Sequence, residues 1–148
     1  MAKLCAAGVT LRSQIDERFP RRDKASDGWI GDTAHASRGG WGLNGQGSYH
    51  NPAPNGYVHA LDIDEDFGSQ GDSMRFAEQL ASYCRAGLDN GRIVHIVYED
   101  KVASATAGNW HFRGSGYGHT YHVHVSFSET ADKDGSKFYL PILKIPRK

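Results

Sequence analysis

The sequence is short of cysteine, of net charge and of long apolar runs. Its 148 residues contain two cysteines, Cys5 and Cys84. A thiolate zinc site would need a closely spaced pair, so we interpret both as ordinary thiols. Lysine plus arginine and aspartate plus glutamate each number 17, which argues against a nucleic acid or an anionic membrane recognised by bulk charge. No run approaches the roughly 18 apolar residues that a membrane span needs.

The N-terminal residues also lack the apolar core of a secretory signal. We therefore expect the chain to be made in a cytoplasm and, if it acts elsewhere, to be let out by another factor. The length predicts a single domain over residues 1–148. We interpret residues 141–148 as a tail or the start of a linker.

The spacing of apolar residues predicts helices and strands along the chain. One helix is expected over residues 10–19, capped by Thr10, and a second, main helix over residues 72–88. The face of the main helix is predicted to carry Met74, Ala77, Leu80, Ala81, Cys84 and Leu88. Strands are expected over residues 57–64, 92–98, 102–104 and 121–127, with a short edge strand at 138–140. Glycine-rich stretches at residues 26–55 and 105–120 predict long loops.

The strand at residues 121–127 carries the strongest chemical signal. Apolar and polar residues alternate along it, so His122, His124 and Ser126 share one face. Two imidazoles on one strand face stand about 6.5–7 Å apart along the backbone. This arrangement suits one metal ligand with a catalytic neighbour, or two ligands.

A second polar set lies upstream. In the strand at residues 57–64, Asp62 and Asp64 share one face while His59 points to the other. His50 lies on a preceding loop, from which it can meet Asp62. A histidine, an aspartate and a second histidine brought together from two strands form a three-ligand set with an open position, which is the catalytic pattern for zinc.

Four other features need an interpretation. His95 sits with Ile93 and Val97 on one strand face, which favours a packed sheet histidine over a ligand. The basic cluster at residues 21–24 is interpreted as a solvated turn. Arg38, if it lies beside a metal site, can hold a substrate carboxylate through two parallel hydrogen bonds. The loop at residues 105–120 leads directly into the histidine strand, so its side chains would rim the same site; they include Trp110, Tyr117 and His119.

Two motifs are paired in this chain: Ser-x-His followed by Ala-x-Asp, and a later His-x-His. With residues 27–32, His35, Arg38, residues 48–52, 56–63 and 119–126, the chain resembles the LAS group of zinc peptidoglycan peptidases. This is the group of the D-alanyl-D-alanine carboxypeptidases, and the resemblance is to the versions found in endolysins of actinobacterial phages. It covers about residues 10 to 127, and the pairing of the two motifs is more specific than either half.

The resemblance implies an α+β fold in which a small antiparallel sheet, with flanking helices and long glycine-rich loops, carries one zinc ion. By position, His50, Asp62 and His124 match the three ligands, and His122 matches the non-ligand histidine that assists catalysis. Arg38 matches an arginine that contacts substrate.

The chain departs from the simple family pattern in three places. His50 and Asp62 are twelve residues apart, against seven in that pattern, which leaves Asp64 as a substitute ligand on the same face. Residues 39–47 separate Arg38 from the first motif more than the pattern would. Many relatives supply an acidic base shortly before the last ligand, whereas this strand supplies His122.

These features together predict a zinc-dependent hydrolase of the peptidoglycan stem peptide, acting as a monomer on the cell wall after release. His122 would move the proton, Arg38 or His119 would stabilise the oxyanion, and Trp110 and Tyr117 would shape the groove. We favour an endopeptidase that cuts between L-alanine and D-glutamate, because lysis requires cutting the network. The alternatives are a D-alanyl-D-alanine carboxypeptidase, a wall-binding module without turnover, and a metal nuclease, which the neutral charge disfavours.

Overall fold

The computed structural model describes residues 3–24, 27–28, 53, 55–68, 71–106, 108–114 and 122–144. In this part the chain is a mixed α/β protein with two α-helices and an antiparallel sheet, which is consistent with the predicted α+β class. The elements in chain order are β1 (Lys3–Leu4), α1 (Ala6–Arg18), β2 (Tyr57–Val58), β3 (Ala60–Asp64), α2 (Asp72–Arg85), β4 (Ile93–Tyr98), β5 (Lys101–Ser104), β6 (Arg113–Gly114) and β7 (His122–Phe127). Short 3₁₀ turns span Gly108–Trp110, Glu129–Asp132 and Pro141–Leu143.

The five-stranded sheet has the order β3-β7-β4-β5-β6, and all its neighbouring strands are antiparallel. β1 and β2 form a separate parallel pair. β7, the last strand in the sequence, therefore lies between β3 and β4. This topology places the two histidines of β7 directly beside the aspartates of β3.

One face of the sheet is covered by both helices and forms the hydrophobic core. The sheet contributes Leu61, Ile63, Ile96, Val123, Val125 and Phe127, and the helices contribute Leu11, Ile15, Phe19, Phe76, Ala77 and Leu80. Burying each large side chain of this kind stabilises the fold by about 1.5–3 kcal/mol. The predicted alternation is confirmed over β3 and β7, because every second residue of these two strands lies in this core. The single strand predicted over residues 57–64 was wrong at His59, where it divides into β2 and β3.

Helix α1 begins earlier than predicted. Its first residue is Ala6 rather than a residue after Thr10, and it ends at Arg18, shortly before Pro20. Ala6 and Ala7 favour helix intrinsically, so the helix extends over them. Thr10 is therefore inside the helix, and its hydroxyl donates a hydrogen bond to the carbonyl oxygen of Gly135 at 2.8 Å instead of capping the helix.

Helix α2 begins at Asp72 as predicted but ends at Arg85, three residues early. The predicted face was partly wrong, since Met74 and Leu88 are each 43% exposed. Phe76, which is fully buried, lies in the core in their place. Among the described residues, no helix combines the length and the apolar character needed to cross a bilayer.

The predicted parity of β4 was wrong at its start. The pairing of β4 with β7 shifts register between Ile93 and His95, so one extra residue enters the strand there. Ile93 consequently lies in the core, while His95 is the register partner of Ser126 on the other face. Ile93 and His95 therefore do not share a face.

The C-terminal residues pack against the core and form no edge strand. Phe138 and Leu140 are buried, at 0% and 2% exposure, but residues 138–140 pair with no strand of the described part. The backbone N–H of Phe138 bonds to the side chain of Gln14 on α1. Ile142 and Leu143 are also buried, so the folded part extends at least through Leu143.

Candidate functional site

The face of β3 and β7 that points away from the core is polar. In the antiparallel register Asp62 lies opposite His124, and Asp64 lies opposite His122. Side chains opposite each other in an antiparallel pair have Cβ atoms about 4.5–5.5 Å apart. The alternation of both strands therefore brings two carboxylates and two imidazoles together on one face.

Asp62 is the centre of this group. Its Oδ1 atom lies 2.9 Å from Nδ1 of His124 and 3.4 Å from Nε2 of His122. The His124 side chain is fully buried, whereas the His122 side chain is 22% exposed. The two histidines thus share one carboxylate but differ in their access to solvent.

Asp62 and His124 carry an oxygen and a nitrogen donor, which are donor types that zinc takes. Two ligand atoms of a tetrahedral zinc ion, each about 2.0–2.1 Å from the metal, are about 3.3 Å apart. The distance between Asp62 and His124, 2.9 Å, is a hydrogen bond in this structure and is somewhat shorter than this value. Within the described ranges, no group of three histidine, cysteine, aspartate or glutamate side chains has metal-holding geometry. The predicted third ligand, His50, lies outside the described residues.

Asp64 has different surroundings from Asp62. Its carboxylate oxygen Oδ1 accepts a hydrogen bond from the backbone N–H of Asp66 at 2.9 Å. Its own backbone N–H donates to Oδ1 of Asp27 at 2.7 Å. These contacts hold Asp64 in the turn that ends β3.

A hydrogen-bond chain continues behind His124. Its Nε2 atom lies 2.7 Å from Oγ of Ser126, and the same Oγ lies 2.9 Å from Nε2 of His95. The rings of His95 and His124 are stacked, with centroids 5.6 Å apart and an 18° angle between planes. All three side chains are buried, since their residues are 0–8% exposed.

The sequence assigned no role to Ser126 or His95 at this site. Ser126 shares the parity of His122 and His124, which was a usable signal. His95 lies on a different strand, so its position depends on the sheet order and on the bulge in β4. The periodicity of the sequence predicts neither the order of the strands nor the bulge.

Asp62 is also held from its other side. The backbone N–H of Gly28 donates to the carbonyl of Asp62 at 3.1 Å, and the N–H of Asp62 donates to the carbonyl of Gly28 at 2.7 Å. This bridge fixes the backbone of β3 on the edge that β7 does not occupy. Both backbone polar groups of Asp62 therefore bond to Gly28, while its register partner on the other edge is His124.

Arg22 anchors the same segment, and the prediction of a solvated turn at residues 21–24 was wrong for it. Its side chain is fully buried and forms ion pairs with Asp16 on α1 and with Asp27. Burial by itself lowers the pKa of Arg22, but the bonds to Asp27 and Asp16 outweigh burial and raise that pKa. Asp27 in turn accepts the N–H of Asp64, so Arg22 connects α1 to the end of β3.

A pair of acidic side chains lies at the end of the sheet where β7 begins with His122. Glu65 follows the last residue of β3, and Glu99 follows the last residue of β4. Burial, followed by a hydrogen bond with Glu99 and by the charges of Glu99 and Asp64, raises the pKa of Glu65 to about 8. The carboxyl group of Glu65 therefore keeps its proton near neutral pH.

The remaining predicted site residues are not brought to Asp62 in the described part. Trp110 is 8% exposed and belongs to the hydrophobic core, which lies on the opposite face of the sheet. Arg38, His50, Tyr117 and His119 lie outside the described residues. His59, which was predicted to face away from Asp62, is buried and bonds through Nε2 to the carboxylate of Asp132.

Comparison with known proteins gives no match. No protein-family model matches the chain, no curated protein matches it, and no solved structure matches it.

Proposed function

We propose that this protein is a zinc-dependent peptidoglycan hydrolase of the LAS type, an endopeptidase that cuts the stem peptide between L-alanine and D-glutamate. The observation that supports it best is the contact of Asp62 with His124 across two paired strands, with His122 beside them. These are the residues that the family resemblance assigns to two metal ligands and to the catalytic histidine. The proposal includes action on the cell wall after release, as a monomer.

The zinc site would use Asp62, His124 and His50. Asp62 and His124 supply an oxygen and a nitrogen 2.9 Å apart, which are donor types that zinc takes. His124 is the better ligand of the two neighbouring histidines, because its far nitrogen is already bonded to Ser126, the kind of support that metal-binding histidines usually have. When bound, zinc would lower the pKa of a coordinated water and polarise the scissile carbonyl.

His122 would handle the proton. Its Nε2 atom is 3.4 Å from Asp62, and its side chain is partly exposed, so it lies beside the ligand set on the side that substrate can reach. Imidazole gains and loses a proton near neutral pH, which suits a general base and acid. His122 would accept the proton of the attacking water at Nε2 and return it to the leaving amine.

Arg38, His119, Trp110 and Tyr117 remain candidates for substrate binding on the resemblance and on loop position alone. The carboxylates of wall peptides give a cation beside the site a further task, since an arginine binds a carboxylate with two parallel hydrogen bonds. Trp110 lies in the core, so its effect on a groove would be indirect, through the position of the loop that follows it.

The test combines zinc content with digestion of purified stem peptides, read by mass spectrometry. Wild type should contain about one zinc per chain, as expected for a single catalytic site, and should release products cleaved between L-alanine and D-glutamate. His124→Ala should lose the metal. His122→Ala should keep the metal and lose about 10²-fold or more in rate, the usual contribution of a general base. His111→Ala is a matched control, because His111 is exposed and lies beside Arg85 of α2.

Three other results of these experiments would change the proposed function. Loss of only a terminal D-alanine would replace the endopeptidase by a carboxypeptidase. Binding to walls without any cleavage would favour the wall-binding module. No zinc in wild type, even after zinc is added back, would overturn the hydrolase.

A further inference from the structure

Three buried polar side chains form a continuous chain that begins at the candidate metal site. His124 bonds to Asp62 through Nδ1 and to Ser126 through Nε2, and Ser126 bonds to His95. The chain crosses from β7 to β4, whose residue His95 is the register partner of Ser126. Polar groups buried to this extent must satisfy one another, because each unsatisfied one costs about 1–3 kcal/mol.

The direction of the hydrogen bonds in this chain follows from the tautomer of His124. If Nδ1 carries the proton, it donates to Asp62, and Nε2 must accept from the Ser126 hydroxyl. The Ser126 oxygen then accepts from the Nε2–H of His95. Every bond in the chain is made in this arrangement.

Metal binding through Nδ1 of His124 requires the opposite direction. The lone pair of Nδ1 must then be free of its proton, so the proton of neutral His124 sits on Nε2. Nε2–H donates to the Ser126 oxygen, and the Ser126 hydroxyl donates to Nε2 of His95. His95 must then carry its own proton on Nδ1.

We propose that Ser126 and His95 are positioning residues that set the tautomer of His124, and that zinc binding reverses this hydrogen-bond chain as far as His95. The inference rests on the proposed zinc site. The three side chains hold the same number of protons in both arrangements. The proton that leaves Nδ1 of His124 is balanced by the one that His95 acquires on Nδ1, so the change is a tautomer exchange.

A purely space-filling role explains the geometry less well. The His95 and His124 rings are stacked and nearly parallel, which apolar rings could also achieve. The hydroxyl of Ser126, however, lies within hydrogen-bond distance of a ring nitrogen on each side. A hydroxyl can donate and accept at once and can reverse both roles by rotating, which is the property this position requires.

The first measurement is made on the wild-type protein and needs no variant. Long-range ¹H–¹⁵N correlation spectra distinguish the two tautomers of each histidine ring. On zinc addition, His95 should change from the Nε2–H to the Nδ1–H tautomer, and His124 should show Nε2–H with its Nδ1 shifted by the metal. An unchanged His95 tautomer in the zinc-loaded protein would overturn the inference.

The second measurement is zinc affinity by competition with a chromophoric chelator. Ser126→Ala should weaken zinc binding by about 10- to 100-fold, the usual loss when the partner of a metal-binding histidine is removed. Ser126→Thr keeps the hydroxyl and should stay within about 3-fold of wild type on the same argument. His95→Gln, which keeps a polar group beside Ser126, should fall between them.

The outcomes separate this inference from the function on which it rests. If wild type binds no zinc, both are overturned. If wild type binds zinc but Ser126→Ala binds it equally well, the zinc site stands and the positioning role falls. If Ser126→Ala binds weakly but zinc leaves the His95 tautomer unchanged in wild type, Ser126 supports His124 without any reversal at His95, and the inference is overturned. If Ser126→Ala does not fold, the wild-type spectra and Ser126→Thr still decide.

Discussion

Nδ1 of His124 lies 2.9 Å from Oδ1 of Asp62, and the two residues are register partners in the neighbouring strands β7 and β3. The contact therefore depends on the backbone ladder as well as on the side chains. Gly28 bonds the same β3 residue from the other edge. A site held on paired strands in this way keeps its geometry better than one carried on loops, which is what a catalytic metal centre requires.

The two aspartates of β3 should differ in their effect on metal binding. Asp62→Asn removes the charged oxygen beside both histidines and should weaken zinc binding by about 100-fold or more, exceeding the loss of a supporting partner. Asp64→Asn is the matched control and should stay within about 3-fold, because an amide oxygen can still accept the N–H of Asp66. Competition titrations with a chelator measure both. Weaker binding in Asp64→Asn alone would make Asp64 the ligand.

Arg22 should be a major stability determinant although it lies in a cluster of charged residues. Arg22→Met leaves the carboxylates of Asp16 and Asp27 without their buried partner. Removal of one member of a buried ion pair costs about 3–5 kcal/mol, and we expect the lower end because Asp16 is 35% exposed. Urea denaturation measures the change. The neighbouring Arg21 is exposed, and Arg21→Met should change stability by less than about 0.5 kcal/mol. Equal effects of the two changes would rule out the anchoring role.

Folding stability should fall as pH rises through the range set by Glu65. The pKa of this carboxyl is raised from 4.5 to about 8 in the folded protein, so the folded state holds a proton that the unfolded state releases. The unfolded state binds fewer protons between these values, and stability therefore decreases with rising pH from about 5 to 8. Urea midpoints across this range measure the slope.

Glu65→Gln provides the comparison for that pH profile. The amide has no proton to lose, so the variant should gain stability relative to wild type at pH 8 and show a flatter profile. Glu129→Gln changes an exposed glutamate and should keep the wild-type slope. A Glu65→Gln profile that runs parallel to wild type would show that Glu65 does not cause the slope.

Both thiols should resist modification until the protein unfolds. Cys5 and Cys84 are free and buried. Burial raises the pKa of Cys5 to about 12 and also raises the pKa of Cys84. Thiolate is the reactive form, so native protein at pH 8 should react with Ellman's reagent at least about 100-fold more slowly than an exposed thiol. In denaturant both cysteines should react. Rapid reaction of one thiol in the native protein would contradict its burial.

The sequence anticipated the local features of the site. The alternation of β3 and β7 placed Asp62, His122 and His124 on polar faces and Leu61 and Val125 in the core, as the structure has them. It also located the start of α2 and a break between β4 and β5, which was expected over residues 99–101 and spans 99–100 in the structure. These features depend on residues close together in the chain, where side-chain period and turn chemistry suffice.

Other features were missed because they depend on distant parts of the chain. Arg22 was predicted to be solvated, but its buried side chain forms ion pairs with Asp16 and Asp27. Thr10 was predicted to cap a helix, but its hydroxyl donates a hydrogen bond to the carbonyl oxygen of Gly135, which is distant in the sequence. Phe76 replaced Met74 and Leu88 in the core, since packing against the sheet decides which face of a helix is buried.

By itself the sequence determined which side chains of each strand share a face, because the two-residue period of a strand is a property of the backbone. It also supplied the histidine and aspartate types from which a zinc hydrolase is proposed. Only the tertiary structure decided that β7 lies between β3 and β4, and hence that Asp62 and His95 reach His124 and Ser126 from opposite neighbouring strands. Strand order and register result from burying one common core, so no local stretch of sequence contains them.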